Sequence, residues 1–469
     1  MSSNTDLLYR LDSLKERPYS NAVIILAAIS FFLVFWDVYN IGFVLPVASA
    51  QLGVPVSNFL YALPVTTGLV GYIFGELGLG YYAQLIGRKT SLLITLVIAA
   101  VGSILSAISQ NFVELSIFRF IVGISIGAEI GLISTYMSEI TPFSMRGSIV
   151  GISTAVGMIE ILPVGAMAYF VIPTISWGWR LMLGLGAIVA IPAIIMRYTY
   201  MPESPRWLLK VGKKEQAEHE IQKMEAYIKK KFGKVDRVST DKVPEEIEEQ
   251  NLGIKALFKD KKIRNRIFII LAVWFFYYIG DYGLVSVVPT LFVQHGIVIS
   301  TTILYFFLTS IGDPIGSLTG MALSDRIERK TLSFITMGLS FIFFIMWGIV
   351  KFPALIIIAG ALVFFTQGLW LPVMYAYTAE LFPTEGRSAA MGFTDGIGHI
   401  GGAIAPYLIL PIALSVGIFS ITGYSWSFIF MGLTALIAGI IVIALGPKTK
   451  NRRLEDISET IVFKDEESN

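Results

Sequence analysis

The sequence predicts an all-α membrane protein whose twelve helical spans form two pseudo-symmetric six-helix halves. Three observations carry that prediction. The 469-residue chain is 55% hydrophobic and only 15% charged, where soluble domains carry roughly 25% charged residues. Apolar runs of about 20 residues, the helical length that crosses ~30 Å of hydrocarbon, recur along nearly the whole chain. The charged loops also repeat at a constant offset of 241 positions. Gln84 to Lys89 falls on Asp325 to Lys330, Ser138 to Pro142 on Ala379 to Pro383, Arg146 on Arg387, and Gly151 and Gly157 on Gly392 and Gly398.

The spans follow from the apolar runs between polar loops. The first half holds spans 1 to 6 at 22–47, 57–82, 90–109, 114–137, 147–171 and 179–200. The second holds spans 7 to 12 at 266–291, 300–323, 331–350, 354–378, 388–412 and 425–446. The domain boundaries expected from this division are 1–200 for the N-terminal half, 201–265 for a linker, 266–446 for the C-terminal half and 447–469 for a tail. Within the linker, Ile221, Met224 and Ile228 recur at helical spacing among charges. That pattern fits either a solvated helix or a helical cap that latches the halves.

Basic residues orient the chain. Arg88, Lys89, Arg146, the lysine-rich linker, Arg326, Arg329, Lys330, Arg387, Arg452 and Arg453 fall on one side, while the loops 47–56, 293–300 and 413–423 carry almost no charge. Positive loops stay in the cytoplasm, so both termini are expected there. Residues 1–20 are polar and lack an apolar core ahead of a cleavage site, so no signal peptide is expected.

The loop motifs resemble those of the major facilitator superfamily over residues 21–457. Gly80-x₃-Gln84-x₂-Gly87-Arg88-Lys89 is similar to that superfamily's loop between helices 2 and 3, and Asp325 to Lys330 to its copy between helices 8 and 9. Arg119-x₃-Gly123-x₃-Gly127 resembles its fourth-helix motif. Pro202-Glu203-Ser204-Pro205-Arg206 and Pro447-Lys448-Thr449-Lys450 resemble the sugar-porter signatures after helices 6 and 12. Gly127-Ala128-Glu129 and the stretch Trp36-Asp37 to Leu45-Pro46 look more like the organic-ion and synaptic-vesicle-2-like branch. The chain departs from sugar porters in three places: Gln84 stands for the usual Asp, Glu328 for the usual Gly, and span 7 reads Trp274-Phe275-Phe276-Tyr277-Tyr278 instead of carrying a Gln-Gln and Asn cluster. The resemblance implies the major facilitator fold and transport by alternating access.

Carboxylates inside spans are costly, on the order of 3 kcal/mol at the bilayer centre, yet Asp37, Glu76, Glu129, Glu160, Asp281, Asp313 and Asp395 all lie within predicted spans. Arg119 and His399 are the deep basic groups expected to face them. The resemblance implies that Asp37 carries a proton with Arg119 as its partner. Burial raises a carboxyl's pKa and an adjacent Arg lowers it, so moving the Arg would couple protonation to conformation. The bland alternative is a static ion pair between spans 1 and 4. Glu129 lies ~80° around and ~15 Å along a helix from Arg119, too far to pair with it. Glu76 reads as packing among Gly71, Gly75 and Gly78, Asp313 as a partner for backbone freed by Pro314, and His399 as an i,i+4 partner of Asp395.

Candidate substrate contacts are Tyr39, Asn40, Glu129, Glu160, Trp274, Tyr278, Asp281, Trp370, Tyr375 and Asp395. Candidate cytoplasmic gate residues are Gly87, Arg88, Glu139, Arg146, Asp325, Arg329, Glu380 and Arg387, whose Arg–carboxylate pairs would clamp helix ends in one state. Rings for stacking and carboxylates for hydroxyl groups suit a monosaccharide, and an organic cation or carboxylate is the alternative. A non-transporting sensor on the same scaffold is the third reading. No cysteine exists, histidines number three, and neither a zinc spacing nor a phosphate-binding Gly loop with Lys-Ser/Thr occurs. No enzyme activity, metal or cofactor is therefore expected. The expected partners are a sugar, a proton and the lipid bilayer, with no nucleic acid, for a monomer in the plasma membrane.

Overall fold

The computed structural model describes residues 4–145, 149, 159–238, 254–324, 326–383 and 386–450. The chain divides into two compact units, 1–247 and 248–469. Each carries six of the expected spans. In the N-terminal unit span 1 is Asn21–Leu52, span 3 Arg88–Ile108, span 4 Phe112–Ile140 and span 6 Gly178–Tyr200. Span 2 runs from Leu63–Phe74 through a π-helical turn at Gly75–Leu79 into Gly80–Ile86, and span 5 is described over Ile161–Val171. In the C-terminal unit span 7 is Lys261–Gln294, span 9 Arg329–Ile349, span 10 Pro353–Glu380, span 11 Arg387–Leu414 and span 12 Gly423–Leu445. Span 8 consists of Ile299–Ser310 and Gly312–Ser324. Among the described residues nine of these helices are by themselves long and apolar enough to cross a membrane. The described helices of spans 2, 5 and 8 are not among the nine.

The glycines explain how the spans pack. On span 2, a Cβ at Gly71 or Gly75 would run into the carbonyls of Phe120 and Ile124 on span 4. In return, a Cβ at Gly123 or Gly127 would meet the carbonyls of Gly68 and Tyr72. The spacing Arg119-x₃-Gly123-x₃-Gly127 is thus a seam of close backbone approach, with van der Waals packing and not hydrophobic burial as its driving force in lipid. The C-terminal unit repeats the seam at the same offset: Gly312 and Gly316 on span 8 press against the carbonyls of Ala361 and Phe365 on span 10. Gly78 faces open space and takes no part.

The segment after span 6 is no solvated tether. Pro205–Lys210 and Lys214–Phe232 are helical, and Ile221, Met224 and Ile228 are buried. Met224 and Ile228 join the core of the N-terminal unit, while Ile221 packs with Trp207, Leu208 and Leu7. The N-terminal helix Asn4–Asp12 completes this cap. Arg10 donates to Glu225 at 2.7 and 3.1 Å, and Arg206 pairs with Asp12. Burial opposes the charge on Glu225, but hydrogen bonds and charges from Arg10 and Arg237 overcome it and hold the carboxyl below its usual range.

Candidate functional site

In the N-terminal unit, span 1 places Asp37 against Arg119 of span 4. An Arg119 amino group donates to Asp37 Oδ1 at 2.5 Å, and the two residues are 4% and 6% exposed. Gly68 of span 2 lies beside this guanidinium, where a Cβ would make ordinary contact with it. One turn further along span 1, Asn40 donates to the Met182 carbonyl of span 6 at 2.9 Å, and Trp36 donates to the same oxygen at 3.3 Å. Asn40 is wholly buried and ties span 1 to span 6 through its amide N–H, while its Oδ1 accepts no hydrogen bond among the described residues. Tyr39 is half-buried and stacks on Phe35.

Glu129 has its own partner. Arg197, in the last turn of span 6, is ion-paired with Glu129 and also donates to Ser30 and to the Leu92 carbonyl, while Thr95 donates to Glu129. Both residues are buried. This network joins spans 1, 3, 4 and 6 and leaves Glu129 committed, against its expected place among the substrate contacts. Arg119 and His399 are accordingly not the only deep basic groups. Arg197 escaped notice because it stands near the charged end of a span, where positive residues are expected for topology alone. The signal was Glu129 itself, a carboxylate in an apolar helix with no partner in reach on its own span.

Glu160 stands immediately before Ile161–Val171 of span 5. It is 1% exposed, and neither carboxyl oxygen accepts a hydrogen bond among the described residues. Asp37 is near enough for its charge to act on Glu160.

The C-terminal unit gathers aromatic rings around a carboxylate. Asp395 of span 11 accepts from the Tyr278 hydroxyl at 2.5 Å and the Tyr375 hydroxyl at 3.2 Å. Trp274 stacks on Tyr278 with centroids 5.3 Å apart and meets Trp370 edge-on at 5.4 Å. Tyr277 stacks on Trp370 at 4.0 Å and donates to Asp281 at 3.3 Å. His399 reaches the backbone carbonyl of Asp395, four residues before it on the same span, at 2.8 Å. Trp370 is fully buried and its N–H is spent on Ser333 of span 9 at 2.5 Å. Its ring packs against Trp274 and Tyr277 in the unit's interior.

The loop charges pair within each unit. Arg88 at the start of span 3 holds Glu139 at 2.8 Å, and Arg329 at the start of span 9 holds Glu380 at 3.1 Å. Gly87 has φ +100°, and a Cβ there would meet the Glu203 carboxylate and the Trp207 ring, so this position needs glycine. Arg387 opens span 11. Arg146 and Asp325 lie outside the described residues.

The profile of the family described as "Sugar (and other) transporter" matches residues 23–461. The chain belongs to that family. It is a transporter of the major facilitator fold, not an enzyme. This transporter is 29% identical over 445 residues to the metabolite transport protein YyaJ of Bacillus subtilis (strain 168), covering 95% of its own length and 96% of that protein. It is 30% identical to the D-xylose transporter of Levilactobacillus brevis, covering 85% and 86%. Its fold matches the partially occluded inward-open structure of the xylose transporter XylE from E. coli with TM-score 0.74 at 21% identity, over 93% of this chain and 99% of that one.

Proposed function

We propose that this transporter is a proton-coupled symporter that imports a monosaccharide, a hexose such as galactose or glucose, by rocker-switch alternating access. It would work in the plasma membrane with both termini in the cytoplasm. The observation that carries the coupling is the buried pair of Asp37 and Arg119 at 2.5 Å. With the guanidinium in place, Asp37 is stable as a carboxylate. With it withdrawn, a buried carboxylate is left without compensation and takes a proton. Any change of state that parts spans 1 and 4 therefore loads or unloads a proton. The Arg88–Glu139 and Arg329–Glu380 pairs are the proposed gate, holding span ends in one state and parting in the other.

The membership of the family and the D-xylose transporter among its relatives support a sugar. Trp274, Tyr278, Asp281, Tyr375 and Asp395 in the C-terminal unit are the proposed ligand contacts. A second reading, an organic cation, is favoured by one observation: Asp395 is held by the Tyr278 and Tyr375 hydroxyls, whose rings pack on Trp274, and aromatic faces near a carboxylate attract cations. Currents from the purified protein in liposomes on a solid-supported membrane, scanned over hexoses, pentoses, sugar acids and organic cations, separate the two. A neutral sugar giving a sustained positive current that grows as external pH falls fits proton symport. Silence with all sugars and current with a cation alone overturns it.

A further inference from the structure

The buried charge of the N-terminal unit does not balance around Asp37. Two carboxyl groups, Asp37 and Glu160, lie within electrostatic reach of one another, and Arg119 donates to Asp37. No hydrogen-bond donor among the described residues reaches either oxygen of Glu160. Among the described residues, the elements packed most closely on this part of span 5 are spans 1 and 6. Asp37 is the sole charged residue of span 1. Span 6 brings two arginines, both engaged elsewhere: Arg180 donates to the carbonyls of Ala107 and Ser109, and Arg197 serves Glu129. A carboxylate buried without a donor or a cation, with a second carboxylate near it, is the less stable form of that group.

We propose that Glu160 holds a proton while Arg119 is on Asp37, so that the N-terminal unit carries a second proton-binding carboxyl independent of the arginine. The inference deepens the proposed symport and rests on it for its role in transport. In the cycle it divides the labour: Asp37 titrates when Arg119 leaves, whereas Glu160 titrates when water reaches it. A neutral Glu160 also presents an O–H donor, which a carboxylate cannot.

The residence of the proton can be read without any substrate. Infrared spectra of the purified protein at neutral pH, in H₂O and D₂O, show the C=O stretch of protonated buried carboxyl groups above the amide band. Glu160→Gln should remove one component of that band, Glu160→Asp should restore a shifted one, and Asp37→Asn should leave it in place. Loss of nothing in Glu160→Gln, or loss of the component in Asp37→Asn with none in Glu160→Gln, overturns the proposal. Glu160→Asp keeps the test alive where the glutamine variant fails to fold.

A second readout separates this inference from the function it rests on. Accumulation of D-xylose or glucose driven by an imposed pH gradient is measured in liposomes. No accumulation by the parent protein with any sugar sinks the symport reading while leaving the spectrum free to place the proton. Accumulation by the parent whose pH profile is unchanged in Glu160→Gln sinks the role of Glu160 alone. The expected result is loss of the acidic limb of that profile in Glu160→Gln.

Discussion

Glu203 and Glu328 make the same clasp from opposite ends. In the N-terminal unit the carboxylate of Glu203, just after span 6, accepts from the backbone N–H groups of Arg88 and Lys89 at the start of span 3, both at 3.0 Å. In the C-terminal unit the carboxylate stands at the start of span 9: Glu328 accepts from the N–H groups of Thr449 and Lys450, just after span 12, at 3.1 and 3.2 Å. Each unit thus fastens its last span to its third by one carboxylate and two consecutive amides. Glu328, which reads in the sequence as a departure from the loop pattern, supplies the acceptor on the side where Lys448 leaves none. Charge-assisted bonds to amides are worth roughly 2 kcal/mol where partly buried. Glu203→Ala and Glu328→Ala should each lower the melting temperature of the detergent-solubilised protein. An unchanged melting curve for either would show that its clasp contributes nothing.

The Glu129–Arg197 pair is a structural tie by its partners. Removing one member leaves an uncompensated buried charge, a loss of about 3–5 kcal/mol. Glu129→Ala and Arg197→Met should each strongly destabilise the protein, and the double variant should lose less than their sum. Preserved stability with a raised KM in Glu129→Gln would return Glu129 to the substrate contacts.

How much of this could be read beforehand follows from where each residue sits. Span positions were legible because hydropathy alone defines them, and the pair of Asp37 and Arg119 because the motifs around them resemble a family in which those positions pair. The partners of Glu129 and Trp370 were not legible for a different reason: periodicity says which residues share a helix face, not which face meets a neighbour. Arg197 and Ser333, which engage them, lie 68 and 37 residues away in the chain. The cap was half legible, since the spacing of Ile221, Met224 and Ile228 marked an amphipathic helix but not the surface it covers.

The cap should respond to acid. Glu225 has its carboxyl below the usual value of 4.5 in the folded protein, so its stabilisation is fully present above that value and is lost as pH falls through the lower folded one. The protection of residues 6–12 against hydrogen exchange, taken relative to the intrinsic rate at each pH, should therefore fall at low pH, and Glu225→Gln should show low protection and fast exchange already at neutral pH. Equal exchange in parent and variant at neutral pH would contradict the clasp by Arg10.

The two tryptophans should part company. Trp274 is buried among Tyr278, Tyr375 and Trp370, and its N–H has no acceptor among the described residues. Trp274→Phe should raise the apparent KM with little change in melting temperature. Trp370→Phe, which abandons Ser333, should lower the melting temperature instead. The reverse pattern would make Trp370 the ligand contact.

The measurement that bears most directly on the coupling of Asp37 to Arg119 compares uphill accumulation with exchange in liposomes containing Asp37→Asn. An amide keeps the shape of the side chain and cannot carry the proton. Accumulation driven by a pH gradient should fall to background while exchange of labelled for unlabelled substrate persists in part. Accumulation at the parent's level in that variant would show that Asp37 is a static partner of Arg119 and that the proton travels elsewhere.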